Sequence, residues 1–259
     1  MTTLLIDGDS VAFKAACAHQ ETIDWGEGEI SVSTNPKGAE DHMVSALNSY
    51  RDVLEADTMI ICLGGGDYWR TKLWSQYKAN RKNKSRPELL PHCLQFLREK
   101  YTVEAWPRLE ADDVMGILSA SIKDSVIVSI DKDMKTVPGR LFNPDHPEDG
   151  VRDITEEDAF HAHMLQALTG DTADGYKGCP GIGPKKAGKI LDEVIENTDF
   201  NTTFKREKEM LWEAVVKTYE AKGLTPDDAL LNARLAYILQ RPNEYNRKTR
   251  KMKLWQPPI

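Results

Sequence analysis

Nine acidic residues fall where carboxylates could act together. Asp7 closes the apolar run Leu4-Leu5-Ile6, Asp67 follows Gly64-Gly65-Gly66, and Glu110-Ala-Asp112-Asp113 opens an apolar helical pattern. Asp131 and Asp133 flank Lys132, and Asp171 and Asp174 lie in a Gly-Asp-Thr-Ala-Asp-Gly loop. Desolvating a charge is costly unless something pairs with it. Two carboxylates about 4 Å apart repel by roughly 4 kcal/mol at an effective dielectric near 20. Protons or metal ions must accompany such crowding. Oxygen-only ligands favour hard cations, magnesium or manganese, which keep several waters and are bound with substrate phosphates. A pair of such ions can activate a water and stabilise the leaving oxygen of an in-line phosphodiester displacement. Singly, each motif has a plainer reading: residues 110–113 as an acidic first helical turn, residues 171–175 as an ordinary turn, and Asp7 as nucleophile, metal ligand or helix cap.

Cations flank these acids. Residues 70–86, RTKLWSQYKANRKNKSR, contain Arg70, Lys72, Lys78, Arg81, Lys82, Lys84 and Arg86 without one acid, and Trp69, Trp74 and Tyr77 interleave with them. Solvated helical faces normally mix signs. A single-sign cluster with aromatic residues suits phosphates and bases, which makes Tyr77, Lys82, Lys84 and Arg86 candidate DNA contacts. Gly178-Cys-Pro-Gly181-Ile182-Gly183-Pro184-Lys185-Lys186 is a glycine turn running into a helix start. Its amides could cradle a phosphate while Lys185 and Lys186 neutralise it. The formal charge of −7 is thus unevenly spread.

The elements that must position these residues alternate. Strand character occurs at residues 3–6, 58–63, 102–106 and 125–130, and helical periodicity at 39–56, 87–100 and 111–123. Such alternation indicates crossover units and a parallel α/β sheet. The acids then emerge at the carboxyl ends of strands, where open parallel sheets bind ligands. Gly8 leaves room for the turn after Asp7, and Asp9 or Ser10 is the expected cap of the next helix. Beyond a loop at 143–147 the chain reads as helical: Thr155-Glu-Glu-Asp158 as a capping box for a helix to Leu168, then helices at 184–196, 204–221 and 225–240. The division expected is 1–147, an α/β core with the acidic site and a small basic gateway at about 67–100, and 148–259, a helical region whose basic tail from Asn243 docks through Leu254-Trp255.

In order, Asp7, Asp67, Tyr77-Lys-Ala-Asn-Arg81, Glu110-Ala-Asp112-Asp113, Asp131-Lys-Asp133, Gly170-Asp171 with Asp174, and Gly181-Ile182-Gly183 followed by lysines resemble the motifs of the 5′-nuclease (flap endonuclease) superfamily, particularly the stand-alone exonucleases of podovirus-type phages. The resemblance implies a PIN/Rossmann-like nuclease core with a helix-turn-helix-type motif in the helical region. It implies a first metal site of Asp7, Asp67, Glu110 and Asp112, and a second of Asp131, Asp133, Asp171 and Asp174 with Asp113 shared or water-bridged. Lys78 matches the lysine at the scissile phosphate, and Arg81 the arginine of the helical gateway. Residues 181–186 match the turn that grips duplex backbone, with a potassium ion on its carbonyls. The implied activity is metal-dependent 5′→3′ hydrolysis of DNA, with flap endonuclease-like action and RNase H-like primer removal from RNA–DNA hybrid, in phage replication in the infected host's cytoplasm. The superfamily mostly has Asn where Gly175 stands, and the segment between Asp67 and Glu110 is short.

A strand followed by Asp7-x-Asp9 also resembles the opening of haloacid-dehalogenase phosphatases, with Asp7 as nucleophile. That reading leaves the basic stretch and the glycine turn without a purpose. Cys17, Cys62, Cys93 and Cys179 lack metal spacing and are expected as free thiols, three in apolar or helical surroundings. His161 and His163, two apart, point to different faces of a helix. No apolar run is long enough to cross a membrane; a cytoplasmic, monomeric protein is expected.

Overall fold

A computed structural model of the chain describes residues 1–26, 29–81, 85–199 and 202–258, except for the side chain of Ile30. In chain order it contains β1 (Thr3–Asp7), α1 (Gly8–Ala18), β2 (Gln20–Asp24), β3 (Ile30–Thr34), α2 (Pro36–Val53), β4 (Thr58–Cys62), α3 (Trp69–Leu73), α4 (Leu90–Lys100), β5 (Val103–Glu104), α5 (Ala111–Ser119) and β6 (Ser125–Val128). There follow β7 (Gly139–Phe142), β8 (Val151–Ile154), α6 (Glu156–Thr169), α7 (Pro184–Glu196), α8 (Phe204–Glu220), α9 (Pro226–Ala236), β9 (Tyr245–Asn246) and β10 (Lys251–Met252).

The apolar run of β1 is buried at every position. That is what a strand covered on both faces requires. It lies between β4 and β6, pairing parallel with both, in a sheet of order β5-β4-β1-β6-β7-β8. The predicted strand at 102–106 is reduced to the two residues of β5. The sheet gains β7 and β8, and a separate β2–β3 hairpin forms, none of which the sequence pattern had marked. Leu4, Ile6, Val128 and Phe142 pack with Ala12, Met43, Leu47 and Leu97 in one core.

Two compact units result. The first comprises Met1–Asp67, Lys84–Asp131 and Gly139–Arg152; the second comprises Tyr68–Asn83, Lys132–Pro138 and Asp153–Ile259. The expected cut at 147/148 is close to the 152/153 junction, but the gateway segment is corrected: residues 68–83 belong to the second unit, not to the α/β core. Contiguity in sequence had hidden this excursion, because a short helix and turn can join whichever core supplies apolar cover.

In the second unit the helix starts obey local chemistry. Thr155 and Asp158 form the anticipated capping box on α6, and Thr225 and Asp228 form another on α9. The helix expected to reach residue 240 stops at Ala236. Trp255 docks as anticipated, meeting Trp212 edge-on with ring centroids 5.2 Å apart and His163 at 5.0 Å. Among the described residues, no helix is long and apolar enough to cross a membrane.

Candidate active site

Asp7 ends the central strand and caps the helix that follows. Its Oδ1 accepts the Ser10 N–H at 3.0 Å, and its Oδ2 accepts the hydroxyls of Ser10 at 2.6 Å and Ser129 at 3.2 Å. The cap of α1 is therefore Asp7 itself, not Asp9 or Ser10. Gly8 makes the turn possible: a Cβ there would lie 2.4 Å from Ile61 Cγ2 and 2.7 Å from Leu63 Cδ2. Asp9 instead accepts the N–H of Gly64 at 3.0 Å, tying α1 to the glycine turn after β4.

Other acids of the first unit surround this point. Glu110 is the cap of α5 and Asp113 lies one turn on, fully buried, accepting the Glu110 N–H at 3.4 Å. Asp7 and Glu110 are each only 6% exposed. Burial, and then the Asp7 charge, push the Asp9 carboxyl up to about 6, against the Gly64 hydrogen bond and Arg98, with Glu110 adding to the rise. Burial also raises the Cys62 thiol, helped by Asp7, Glu104, Asp112 and Asp9. Asp7, Asp9, Glu110 and Asp112 thus share one electrostatic neighbourhood at the carboxyl ends of the central strands. Asp67 and Asp131 are exposed, Asp67 at a φ of 46° and Asp131 with its N–H on Ser129 Oγ at 3.1 Å.

The second unit holds Asp133, Asp171 and Asp174, the last two with cations. Asp174 receives Arg81 Nη2 at 2.6 Å and the Tyr77 hydroxyl at 2.7 Å, with Lys78 Nζ at 3.6 Å. Asp171 is buried, accepts the N–H groups of Ala173 and Asp174, and has Lys132 Nζ at 3.3 Å. Burial raises the Tyr176 hydroxyl, and the charges of Asp133, Asp171 and Asp174 raise it further, so these three acids converge on one ring. The loop between α6 and α7 is closed by two glycines packed backbone to backbone. A Cβ on Gly170 would lie 2.3 Å from Gly178 N, and one on Gly178 would lie 2.3 Å from Gly170 N. Gly175 has a φ of +85°, and a Cβ would be 3.1 Å from Gln76 O, so a side chain there is disfavoured.

Several expected nucleic-acid contacts are corrected. Tyr77 is buried, stacked on Tyr176 with centroids 6.5 Å apart, and belongs to an apolar cluster with Leu235 and Ala236. It is a core residue, not a base-stacking one. Trp69 is buried too, and Arg70 donates to the carbonyls of Leu235 at 3.1 Å and Tyr237 at 2.6 Å, satisfying the end of α9. Residue type and spacing do not distinguish a guanidinium that caps a helix from one that meets phosphate. Lys82 and Lys84 lie outside the described residues. Arg86, Gly181, Gly183, Lys185 and Lys186 are exposed and Ile182 is half-buried. Lys186 Nζ donates to Gly181 O at 3.2 Å, putting an ammonium on a carbonyl that the expected potassium ion would use.

Sequence reasoning missed Ser129, which holds Asp7, and Lys132, which holds Asp171, and it read Ser10 as a cap where that residue donates to Asp7. Only Lys132, between two candidate acids, carried a readable signal. Cys62, Cys93 and Cys179 are buried free thiols, while Cys17 is exposed. His163 is buried and hydrogen-bonded to Ala233 O at 2.8 Å. Among the described residues, no three His, Cys, Asp or Glu side chains are already gathered as a coordination shell.

Residues 2–145 match the family model described as 5′-3′ exonuclease, N-terminal resolvase-like domain. The chain belongs to this 5′-3′ exonuclease family. As a member it is a 5′-3′ nuclease, and the haloacid-dehalogenase reading is set aside. The Exonuclease of Escherichia phage T7 is 29% identical, over 98% of this chain and 93% of that one. The Exodeoxyribonuclease of Enterobacteria phage T3 is 28% identical, over 98% and 92%. Among solved structures, the T5 D15 protein co-crystallised with metal ions matches at a TM-score of 0.54, with 18% identity over 91% of this chain and 93% of that chain. The catalytic core of Rad2 in complex with DNA substrate matches at 0.51, with 15% identity over 99% and 83%. These two likenesses support the mainly parallel α/β nuclease fold. Within the family-matched span lie Asp7, Asp67, Glu110, Asp112, Asp113, Asp131 and Asp133; Asp171 and Asp174 follow it.

Proposed function

We propose that the protein is a divalent-metal-dependent 5′→3′ exodeoxyribonuclease with flap endonuclease-like activity, acting as a monomer on DNA 5′ ends during phage replication in the bacterial cytoplasm. RNase H-like removal of primers from RNA–DNA hybrid belongs to the same reading. One observation carries it: two buried carboxylates, Asp7 at the carboxyl end of the central strand and Glu110 at the start of α5, lie within the span matched to a 5′-3′ exonuclease domain. An all-oxygen donor set under mutual repulsion fits hard cations, magnesium or manganese. The relatives named exonuclease and exodeoxyribonuclease over nearly the whole chain support the reaction. The T5 D15 structure with metal ions and the Rad2 catalytic core in complex with DNA substrate support the cofactor class and the substrate.

Asp7, Asp67, Glu110 and Asp112 would hold a first ion, and Asp131, Asp133, Asp171 and Asp174, with Asp113 shared or water-bridged, a second. When bound, such ions supply positive charge that makes water a better nucleophile and stabilises the leaving oxygen. The chain's own residues do the rest. Ser10 and Ser129 fix both oxygens of Asp7, so that carboxylate is oriented before substrate arrives. Lys78 and Arg81, kept together by Asp174, are the cations that would meet the scissile phosphate and stabilise charge growing on its oxygens. The Gly181 to Lys186 turn, exposed at the start of α7, would grip duplex backbone as a helix-turn-helix-type motif, with potassium as a candidate ion there.

The test is a panel of 5′-labelled duplex, 5′-flap and RNA–DNA hybrid substrates with magnesium, with manganese and with chelator, product lengths read on a gel. Short 5′-phosphorylated products that vanish with chelator are expected. Failure on every substrate with either ion would overturn the reading.

A further inference from the structure

We propose that the β9–β10 hairpin is a further nucleic-acid contact, a rigid basic finger that grips the phosphodiester backbone of duplex DNA apart from the carboxylates and the glycine turn. The proposal rests on the nuclease reading above. Residues 247–253, Arg-Lys-Thr-Arg-Lys-Met-Lys, carry five cations and no acid in a chain of net charge −7. All five are exposed. Among the described residues, Lys248, Lys251 and Lys253 have no ion-pair partner.

The finger is built, not a loose tail. Asn246 Oδ1 accepts the N–H groups of Lys248 at 3.0 Å and Thr249 at 2.9 Å, while Asn246 O accepts that of Arg250 at 2.7 Å. Arg250 closes the turn in the left-handed region, at a φ of 56°. The ladder pairs Asn246 with Lys251 and Tyr245 with Met252, and the Lys253 N–H reaches Glu244 O at 2.7 Å. Tyr245 and Trp255, buried at 6% and 9% exposure, anchor the two ends, and Arg234 Nε holds Trp255 O at 3.1 Å. Cations presented on an ordered backbone lose less freedom on binding than a disordered tail would. The exposed surface of the finger offers charge without a large apolar anchor of the kind protein interfaces use. A regular polyanion is the ligand that such a surface fits.

The experiment uses the full chain with Lys248→Ser, Lys251→Ser and Lys253→Ser combined. Its Kd for a fluorescent duplex is measured in chelator across a salt series, beside the wild type. Each lysine that meets a phosphate removes about 0.9 from the slope of log K against log salt, about 2.7 for all three. A shallower slope, with Kd weakened tenfold or more at low salt and an unchanged unfolding midpoint, supports the proposal. Lys248→Glu, on the turn and outside the ladder, reads the same slope should the triple variant fold poorly. A Kd within twofold of wild type with an unchanged slope overturns it and turns the finger over to an acidic protein partner. If the wild type itself neither binds nor cuts DNA, the nuclease reading falls with it; if it does both and the variant matches it, only this inference falls.

Discussion

Tyr77 and Asp174, ninety-seven residues apart in sequence, are joined by a 2.7 Å hydrogen bond from the phenol to the carboxylate. The same carboxylate holds Arg81 at 2.6 Å and Lys78 at 3.6 Å. One buried ring thereby fixes an acid that in turn gathers two cations. Tyr77→Phe keeps the stacking on Tyr176 and loses only the donor. The expected cost is about 1.5–3 kcal/mol of unfolding free energy, as for a hydrogen bond to a charged group, read from urea denaturation. A cost near zero would mean that Asp174 is held by its cations alone.

Lys78 touches the same acid yet is assigned to the phosphate. Lys78→Ala is expected to lower single-turnover cleavage by about a hundredfold or more, the scale of losing one preorganised electrostatic contact to a transition state. The side chain is 20% exposed and touches both Asp174 and the Tyr77 ring, so cleavage is compared at a temperature where the variant's own unfolding curve shows it folded. Cleavage at the wild-type rate would remove Lys78 from the mechanism.

The close approach of Gly170 and Gly178 gives a stability test with an internal control. Gly170→Ala puts a Cβ 2.3 Å from backbone nitrogen at a φ of +68° and is expected to cost about 2–4 kcal/mol, overpacking and backbone strain combined. Gly66→Ala, at a φ of +71° with nothing within 4 Å, carries the strain alone and should cost about 1–2 kcal/mol. Equal costs in chemical denaturation would show that the backbone contact is unimportant.

His163 sets a pH dependence. Burial lowers its pKa to about 4 from 6.5, despite the hydrogen bond to Ala233. The unfolded chain therefore binds more protons between those values, so stability contributed by the neutral ring is complete above pH 6.5 and is lost as pH falls through 4. That loss is about 3 kcal/mol in all. His163→Gln, which can still donate to the Ala233 carbonyl, should unfold with a visibly flatter dependence between pH 7 and pH 4.5. Parallel pH profiles for the two proteins would refute the assignment.

What could be read from the residues was local. The jump from an apolar run to an acid located β1 and its Asp7, and the Thr155–Asp158 and Pro184 signals located the starts of α6 and α7. What could not be read was which partner a residue finds across the chain. Arg70 and Tyr77 look like surface residues in a basic run, but one satisfies the carbonyls at the end of α9 and the other fills a ring stack. The short β7, Gly-Arg-Leu-Phe, and β8, Val-Arg-Asp-Ile, are four residues each and lack the apolar–polar alternation that would betray a strand. The 68–83 excursion joins its unit through contacts of this long-range kind, so no boundary signal precedes it.

The central claim is that Asp7 serves as a carboxylate in catalysis and not merely as a cap. Asn is as good a helix cap as Asp, and the amide placed against the Ser10 and Ser129 hydroxyls can donate to both. Asp7→Asn should therefore fold with an unfolding midpoint near that of wild type. The deciding measurement is single-turnover cleavage of a 5′-labelled duplex with magnesium, wild type beside Asp7→Asn. A loss of about a thousandfold or more in the folded variant is the result expected from removing a charge that acts in the transition state; cleavage within a few-fold of wild type would contradict it.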